Sequence, residues 1–303
     1  MKKSPFYKQA ELMLKCIPAI DQEKIFALKG GTAINMFLRP MPRLSVDIDL
    51  TYVPIEDRKT TFEKMHVSLQ NIAVKIEKTI SGTKVQKTMR EGGIKKLVVV
   101  SSAGNIKIEP NEVLRGTITK PHPMDLTKEV EKLFEFNVNI SVVSFAELYG
   151  GKICAALDRQ HPRDLFDIKI LLDNEGLTDE IRKAFLVFLS SCDRPMHELI
   201  IPTLKDISEN YKKEFQLMVA KSISLEELYE ARANLIEALR STITLDEKKF
   251  LISFQEGSPE WGLLGVQNVE KFPGIQWKLL NIRKISKEKG EDLVKKLQSA
   301  LKL

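Results

Sequence analysis

Two aspartates in the N-terminal part of the chain carry its strongest chemical signal. Asp47 and Asp49 lie in a run, residues 43–50, in which polar and apolar side chains alternate without exception. Alternate side chains of a β-strand share one face, so the two carboxylates would stand roughly 6.6 Å apart, beside Arg43 and Ser45. Like charges this close repel each other, and a divalent cation bound between them would relieve the repulsion. The pattern therefore predicts a site for Mg²⁺, which favours one or two carboxylates together with substrate phosphates.

A pair of glycines before this run predicts the phosphate side of such a site. In Lys29-Gly30-Gly31-Thr32, the glycines lack a Cβ and allow backbone N–H groups to approach a phosphate closely. A helix predicted to start at Thr32 would direct its unpaired N–H groups and the positive end of its dipole at that phosphate. A glycine pair before a helix also occurs for purely architectural reasons, and its position before the aspartates is what makes it specific.

A third carboxylate is predicted on another short alternating run. In residues 106–109 the two isoleucines point to one face, and Lys107 and Glu109 point to the other. If this strand neighbours the aspartate strand, Glu109 can complete the metal site or can position and deprotonate an attacking hydroxyl. The alternative is an edge strand on which Lys107 forms a salt bridge.

A second group of charged residues begins after residue 150. Lys152 and Arg159 are seven residues apart, which places them on one helix face, two turns from each other. Asp164 and Asp167 lie one turn apart on the next predicted helix. A lysine on such a face can neutralise a phosphoryl group during its transfer, and an aspartate can orient the lysine. The alternative is an interhelical ion-pair network, above all for Arg159, Arg163 and Asp167.

Composition restricts the class of protein. The 303 residues suffice for two domains, and 43% apolar with 29% charged residues is typical of a globular chain. Lysine and arginine exceed the acids by six, which permits a nucleic-acid partner without requiring one. The three cysteines match no zinc-binding spacing, and no apolar stretch is typical of a membrane span or a signal peptide. We therefore expect a cytoplasmic protein without membrane contact.

The periodicity of the chain predicts an α+β fold, in which a mixed β-sheet with flanking helices precedes a mostly helical C-terminal part. Strands are predicted at residues 43–53, 83–90, 94–101, 105–109 and 134–143. Helices are predicted at residues 5–27, 56–78, 145–159, 163–173, 178–191, 203–220, 224–242, 245–255 and 286–301. We expect residues 1–143 to form a catalytic domain. Residues 144–303 would form a helical domain that contributes Lys152 and Asp164 or Asp167 to the cleft.

In combination these motifs resemble the AbiEii/AbiGii family of nucleotidyltransferase-like toxins, within the DNA polymerase β-like nucleotidyltransferase superfamily that includes the MenT-type toxins. The resemblance spans roughly residues 25–170. The residues that carry it are Lys29-Gly30-Gly31-Thr32, Arg43-x-Ser45-x-Asp47-Ile48-Asp49-Leu50, Lys152-x-x-Ala155-Ala156-Leu157-x-Arg159 and Arg163-Asp164-x-x-Asp167. Threonine stands where the superfamily motif often has serine, and it keeps the hydroxyl.

The resemblance implies a nucleotidyltransferase-type sheet and a nucleotidyltransferase that uses a nucleoside triphosphate with Mg²⁺, or alternatively Mn²⁺. We expect a nucleotide-binding set of Lys29, Gly30, Gly31, Thr32, Arg43, Ser45 and Arg159. We expect a catalytic set of Asp47, Asp49, Glu109, Lys152, Asp164 and Asp167. The expected metal ligands are Asp47, Asp49 and Glu109.

The resemblance also implies a biological role. It indicates the toxin of a type IV-like toxin–antitoxin or phage-defence system, whose antitoxin is encoded nearby. The toxin would transfer a nucleoside monophosphate to RNA, with the 3′ acceptor end of tRNA as the expected target, and would so block translation. The alternatives are nucleotidylation of a protein or small-molecule hydroxyl, a metal-dependent nuclease, and a catalytically inert binding partner with the same fold.

Overall fold

The computed structural model describes residues 2–91 and 93–303. The chain forms two compact units, the first comprising Met1–Ser144 with Lys213–Ser222 and the second Phe145–Lys212 with Ile223–Leu303. Among the described residues, no helix combines the length and the apolar character that crossing a membrane demands. The division into a catalytic and a helical domain at residue 143 stays a prediction about function.

A seven-stranded mixed sheet forms the centre of the first unit, in the order β3-β4-β5-β2-β1-β7-β6. Its strands are β1 (Phe26–Lys29), β2 (Asp47–Tyr52), β3 (Lys84–Arg90), β4 (Gly93–Ser101), β5 (Gly104–Asn111), β6 (His122–Asp125) and β7 (Asn139–Val142). The β2–β5 and β1–β7 pairs are parallel, and the other pairs are antiparallel. The helices of this unit are α1 (Tyr7–Asp21), α2 (Gly30–Thr32), which continues as a π-helical segment (Ala33–Leu38), α3 (Arg58–Thr79) and α4 (Lys128–Phe134). The predicted α+β architecture is confirmed.

The helix predicted at residues 5–27 extends too far at its C-terminal end, and the difference affects the site. Helix α1 ends at Asp21, and the following residues Phe26–Lys29 form β1 instead of the last turn of a helix. Phe26, Ala27 and Leu28 are buried because β1 lies between β2 and β7 in the interior of the sheet. A short apolar run fits a buried strand and a buried helix equally well, so the periodicity alone could not distinguish them.

One face of the sheet is covered and the other carries polar side chains. Helices α1 and α3 pack on the strands through the face that bears Ile48, Leu97 and Ile108, all of which are fully buried. The alternation predicted for the aspartate strand holds within β2, where the apolar residues are buried and the two aspartates are partly exposed. The strand is shorter than the predicted residues 43–53, because the chain before Asp47 leaves the sheet.

A segment late in the sequence returns to the first unit. The backbone N–H of Leu44 donates a hydrogen bond to the carbonyl of Met218 at 2.8 Å, and Arg43 forms a β-bridge with Val219. The helix predicted at residues 203–220 is therefore wrong over most of its length. Only Ser208–Lys213 (α9) is α-helical; a short 3-10 helix, Phe215–Leu217, follows, and residues 218–220 then pair with the chain just before β2.

The second unit is helical, as expected for the C-terminal part. Its helices, besides α9, are α5 (Phe145–Asp158), α6 (Pro162–Asn174), α7 (Asp179–Leu189), α8 (Met196–Ile200), α10 (Leu225–Thr242), α11 (Leu245–Gln255), α12 (Pro273–Ile282) and α13 (Lys287–Leu301). Capping boxes open two of them, through Ser224 with Glu227 and through Thr244 with Glu247. In each box a hydroxyl and a carboxylate satisfy backbone N–H groups that the first helical turn leaves unpaired.

A buried ion pair links two helices of this unit. The Arg182 guanidinium on α7 donates to both carboxylate oxygens of Glu247 on α11, at 3.1 and 2.8 Å, and both side chains are about 95% buried. The same guanidinium donates to Asp179 at 2.7 Å, whose side chain is 76% exposed. Desolvation would lower the pKa of Arg182, but the two carboxylates outweigh it, so the pKa is raised and the charge is retained.

We expect Glu247→Gln to lower the free energy of unfolding by about 3 kcal/mol, because the Arg182 charge then stays buried beside a neutral partner. Glutamine keeps the shape of the side chain and its role in the capping box. Asp179→Asn is the matched control, since it removes an exposed carboxylate from the same guanidinium and should cost less than about 1 kcal/mol. Urea unfolding followed by circular dichroism measures both changes, and equal losses would show that burial does not set the strength of this pair.

Candidate active site

The predicted carboxylates come together on adjacent strands of the first unit. Strand β2 carries Asp47 and Asp49, and its parallel neighbour β5 carries Lys107 opposite Asp47 and Glu109 opposite Asp49. Residues that pair directly between adjacent strands point to the same face, with their backbones about 4.8 Å apart. The expectation that the Glu109 strand neighbours the aspartate strand is thereby confirmed, and the edge-strand alternative is wrong, since β5 lies between β4 and β2.

The glycine pair lies against the second aspartate. Gly30 has a φ of +71°, a left-handed conformation that glycine adopts without the penalty a Cβ imposes. A Cβ built at Gly30 would collide with the Asp49 carboxylate, so the backbone here approaches that side chain more closely than any other residue type would allow. Lys29 pairs with Asp49 across β1 and β2, which places both side chains on the same face of the sheet. The helical turn begins at Gly30 and not at Thr32, so the glycines form its first turn.

Arg43 and Ser45 lie beside the second glycine. A Cβ at Gly31 would stand 2.7 Å from Arg43 Nη2 and 3.2 Å from Ser45 Oγ. Both residues precede β2 and are not part of its alternating face, yet the turn brings them to the glycine pair. Both are more than nine-tenths buried. The Arg43 Nη1 donates to the carbonyl of Leu44 at 3.0 Å, which fixes the orientation of the guanidinium.

Thr32 binds the protein itself. Its hydroxyl hydrogen-bonds to the main-chain carbonyl of Asp47 and to Ser45 Oγ, the latter at 3.0 Å, and its side chain is almost completely buried. In this position Thr32 joins the glycine turn to the start of β2 and so holds Asp47 in place. Asn35, which the sequence analysis did not select, donates from Nδ2 to the Gly31 carbonyl at 2.9 Å and fixes the same peptide. The signal for it was its spacing, four residues after Gly31 on a helical turn.

The carboxylates suit a metal that shares its ligands with a substrate. Among the described residues, no three or more His, Cys, Asp or Glu side chains gather closely enough to form a cation cage from protein groups alone. Mg²⁺ does not need such a cage, because it is commonly held by one or two carboxylates, substrate phosphates and water. Asp47 and Asp49, on one face of β2 and beside the open backbone of Gly30, fit that donor set.

The second predicted cluster forms within the second unit. The Lys152 ammonium on α5 lies 3.0 Å from an oxygen of Asp164 and 3.0 Å from an oxygen of Asp167, both on α6. The Arg159 guanidinium donates to both oxygens of Asp164, at 2.6 and 3.0 Å. The Lys152, Asp164 and Asp167 side chains are at most 5% exposed, whereas Arg159 is 63% exposed. The interhelical ion-pair network considered as an alternative is therefore present.

The charges of this cluster control one another. Burial by itself would raise the pKa of the Asp164 carboxyl, but Lys152 and Arg159 outweigh it and hold that pKa far below its usual range. Asp164 therefore stays ionised, and its two oxygens hold the lysine and the arginine in fixed directions. Of the two aspartates that the sequence could not rank, both contact Lys152, and Asp164 also binds Arg159.

In the glycine pair at residues 150 and 151, Gly150 serves helix packing. A Cβ at Gly150 would lie 2.7 Å from the backbone nitrogen of Phe185, because α5 and α7 pack in direct backbone contact there. Close approach of two helices explains Gly150 without any ligand, whereas a Cβ at Gly151 would make only an ordinary contact with the Phe188 ring. The same dipeptide thus has different functions at its two positions in the chain, and only Gly30 lies against a carboxylate.

We expect Asp164→Asn to lower the free energy of unfolding by about 3 kcal/mol at pH 7, because the buried Lys152 then keeps only one of these two carboxylates and Arg159 loses its ion pair with Asp164. A carboxyl whose pKa is lowered by folding stabilises the protein above its unfolded pKa, about 3.9, and the contribution is lost as the pH falls towards the folded value. The difference between wild type and variant should therefore shrink between about pH 5 and pH 2. Urea unfolding at pH 7 and at pH 3 measures it.

Asp173→Asn is the control for this prediction. Asp173 lies on the same helix, is 57% exposed and pairs with Lys169 at 2.7 Å, so its loss should change the free energy by less than about 1 kcal/mol. A difference between Asp164→Asn and wild type that stays constant with pH would contradict the assigned electrostatic role.

Comparison with known proteins agrees with the geometry. The chain matches the family described as nucleotidyl transferase AbiEii toxin, type IV TA system, over residues 12–279. No curated protein sequence matches it. The chain is similar in structure to MenT4, a nucleotidyltransferase toxin from Mycobacterium tuberculosis H37Rv, with a TM-score of 0.58, 14% identity and coverage of 93% of this chain and 95% of that one. At this identity the likeness establishes the fold. Because the family match spans most of the sequence, the protein belongs to the AbiEii family of nucleotidyltransferase toxins of type IV toxin–antitoxin systems.

Proposed function

We propose that this nucleotidyltransferase toxin transfers a nucleoside monophosphate from an NTP to a hydroxyl of RNA, with the 3′ acceptor end of tRNA as its target. The observation that carries the proposal is the contact between the left-handed Gly30 backbone and the carboxylate of Asp49, beside Asp47 on the same strand face. This arrangement brings backbone N–H groups, which suit phosphates, next to carboxylates, which suit Mg²⁺. A triphosphate with its cation needs both.

The reaction follows from the charges that must be balanced. The attacking hydroxyl oxygen forms a bond to the α-phosphorus, the bond from that phosphorus to the bridging oxygen breaks, and pyrophosphate leaves with the electron pair. The hydroxyl proton passes to a base, a role that suits Glu109 because it stands opposite Asp49 on the neighbouring strand. Backbone N–H groups of Gly30 and Gly31 would bind triphosphate oxygens, with Lys29, Arg43 and Ser45 around them.

Asp47 and Asp49 would hold the divalent metal, Mg²⁺ or Mn²⁺. When bound, the metal supplies positive charge to the phosphate oxygens and to the attacking hydroxyl. The structural support is the pair of carboxylates on one face of β2, held there by Thr32 at the carbonyl of Asp47 and by the close Gly30 turn at Asp49. Glu109 keeps the role of base in this proposal, because the expected three-carboxylate metal site of Asp47, Asp49 and Glu109 does not form among the described residues.

In the charged cluster of the second unit, Lys152 and Arg159 balance Asp164 and Asp167, and the Arg159 guanidinium would supply positive charge to the nucleotide. Arg159 suits this role because its side chain is mostly exposed, while Asp164 fixes its direction. Lys152 is buried between Asp164 and Asp167, so we propose that it acts on the nucleotide indirectly, by holding the carboxylate that orients Arg159. Transfer to the acceptor end of tRNA would block translation, and the antitoxin of the system would counteract the toxin.

We expect Asp47→Asn and Asp49→Asn each to lower nucleotidyl transfer by at least about 10³-fold, because each removes a carboxylate that the metal needs. Thermal unfolding of both variants checks that they remain folded, so that a loss of transfer reports the missing carboxylate. Incubation with α-³²P-labelled NTPs, Mg²⁺ and total tRNA, followed by gel electrophoresis, measures the transfer, and EDTA should abolish it.

The position of the label distinguishes the alternatives. Label on the tRNA supports the proposal, whereas label only on protein or on a small molecule would replace the acceptor. Shortened RNA without incorporated label would indicate a nuclease. If wild type labels nothing with any of the four NTPs, and if Asp47→Asn is as toxic in cells as wild type, the chain acts as a binding partner and the proposal is wrong.

We expect Gly30→Ala to lower transfer by at least about 100-fold, because its Cβ would displace the Asp49 carboxylate. The matched control is Gly82→Ala, whose backbone has nearly the same φ, +73° against +71°, with nothing within 4 Å of the added Cβ. Both variants incur a similar backbone strain, about 1 kcal/mol. Thermal unfolding together with the transfer assay separates that strain from the local collision. Equal activities of the two variants would mean that the contact between Gly30 and Asp49 is not needed for the reaction.

A further inference from the structure

The polar face of the sheet continues from the aspartates to the exposed edge of the first unit. Along one row, Asp47 pairs with Lys107, Lys107 pairs with Val98, and Val98 pairs with Gln86. These four residues belong to β2, β5, β4 and β3, so the row crosses three strand spacings, about 14 Å. We call this side of the four strands the open face. It consists of Asp47, Asp49, Lys107, Glu109, Asn105, Lys96, Val98, Val100, Lys84, Gln86 and Thr88.

Solvent exposure separates the open face from the opposite one. On β4 and β5, Leu97 and Ile108 of the opposite face are fully buried, whereas Lys96 and Val98 of the open face are partly exposed and Lys107 is exposed. Every residue of the open face is thus exposed or partly exposed, from β3 to the strand that bears the aspartates.

The charge of this face is positive away from the aspartates. Lys84, Lys96 and Lys107 stand on three successive strands, and no hydrogen bond or ion pair links them to a side chain in the described part of the chain. At the far end of β3, Arg90 forms an ion pair with Glu112, so that arginine is already neutralised. Three lysines without acidic partners on one surface favour a polyanion as its ligand.

Protection of a sheet edge explains one of these three lysines but not the other two. Natural proteins place lysine on exposed edge strands to prevent pairing with other chains, and this accounts for Lys84 on β3. Lys96 and Lys107 lie on β4 and β5, which have strands on both sides. An interior strand has no free edge to protect, so a second reason is needed for lysine at these two positions.

We propose that the open face binds the phosphate backbone of the acceptor RNA strand, which runs from the edge strand β3 across Lys84, Lys96 and Lys107 to the aspartates. The inference rests on the proposed function, because it takes the acceptor to be RNA. Lys107 stands opposite Asp47, so a strand held there delivers its terminal hydroxyl beside the carboxylates. Phosphate contacts of this kind position a nucleic acid without reading its sequence, which leaves the choice of RNA to other contacts.

The test compares two triple variants with the same change in charge. Lys84→Gln/Lys96→Gln/Lys107→Gln removes the lysines of the open face. The control, Lys78→Gln/Lys289→Gln/Lys295→Gln, removes three exposed lysines from helices α3 and α13. Fluorescence anisotropy with labelled tRNA gives the Kd between 50 and 200 mM salt, and the shift in Tm on adding Mg²⁺ and NTP reports nucleotide binding separately. The corresponding triple Lys→Arg variant keeps the charge.

We expect the open-face variant to bind tRNA at least about tenfold more weakly. The slope of log K against log salt should fall in magnitude by about 2, since each phosphate contact with a single strand contributes about 0.7. The arginine variant and the control should bind as wild type does, and all should keep the NTP-dependent shift in Tm. Loss of tRNA binding in the open-face variant alone supports the inference.

Two other outcomes would overturn the inference and differ in what they say about the proposed function. If wild type binds and labels tRNA while the open-face variant does both equally well, the inference is wrong and the proposed function stands. If wild type neither binds nor labels tRNA and instead labels a protein, the proposed function and the inference fail together.

Discussion

At Gly30 the backbone passes so close to the Asp49 carboxylate that there is no room for a Cβ atom. This steric constraint acts on the turn between β1 and α2 and on the facing strand β2. It requires a residue that tolerates a φ of +71°, and it places backbone N–H groups next to a side chain that would otherwise repel any anion. A phosphate can approach such a carboxylate only with a cation between them. Under the proposed function, the contact would place the anion site and the metal site of nucleotidyl transfer side by side.

The residues around this contact mostly serve to hold it. The Thr32 hydroxyl donates a hydrogen bond to the main-chain carbonyl of Asp47, and the Asn35 amide donates one to the main-chain carbonyl of Gly31. Each of these hydrogen bonds fixes a peptide that borders the carboxylates. Preorganisation of this kind removes the cost of ordering the site when the substrate arrives.

The helical unit contains a buried network of charged side chains. Lys152, Asp164 and Asp167 are almost completely buried, and charges in such a place are tolerated only when each has a partner. The network meets this condition and still presents the mostly exposed Arg159 in a fixed direction. The buried ion network is therefore compatible with the proposed role of Arg159 in binding the nucleotide.

The sequence by itself determined the local geometry. Alternation of polar and apolar residues put Asp47 and Asp49 on one face, and helical spacing put Lys152 and Arg159 on one side of α5, because both patterns depend only on backbone repeat lengths. The motifs shared with the family indicated nucleotidyl transfer, because few other sites need a glycine pair and two aspartates together.

Only the tertiary structure decided which local pieces meet. That residues 26–29 form a central strand, that Glu109 stands opposite Asp49, and that Lys107 stands opposite Asp47 all depend on pairing between segments far apart in the chain. The same holds for the glycine pairs, which look alike in sequence although one borders a carboxylate and the other a helix backbone. Strand order and close backbone contacts are non-local properties, set by how the whole core packs, and no repeat within a short segment encodes them.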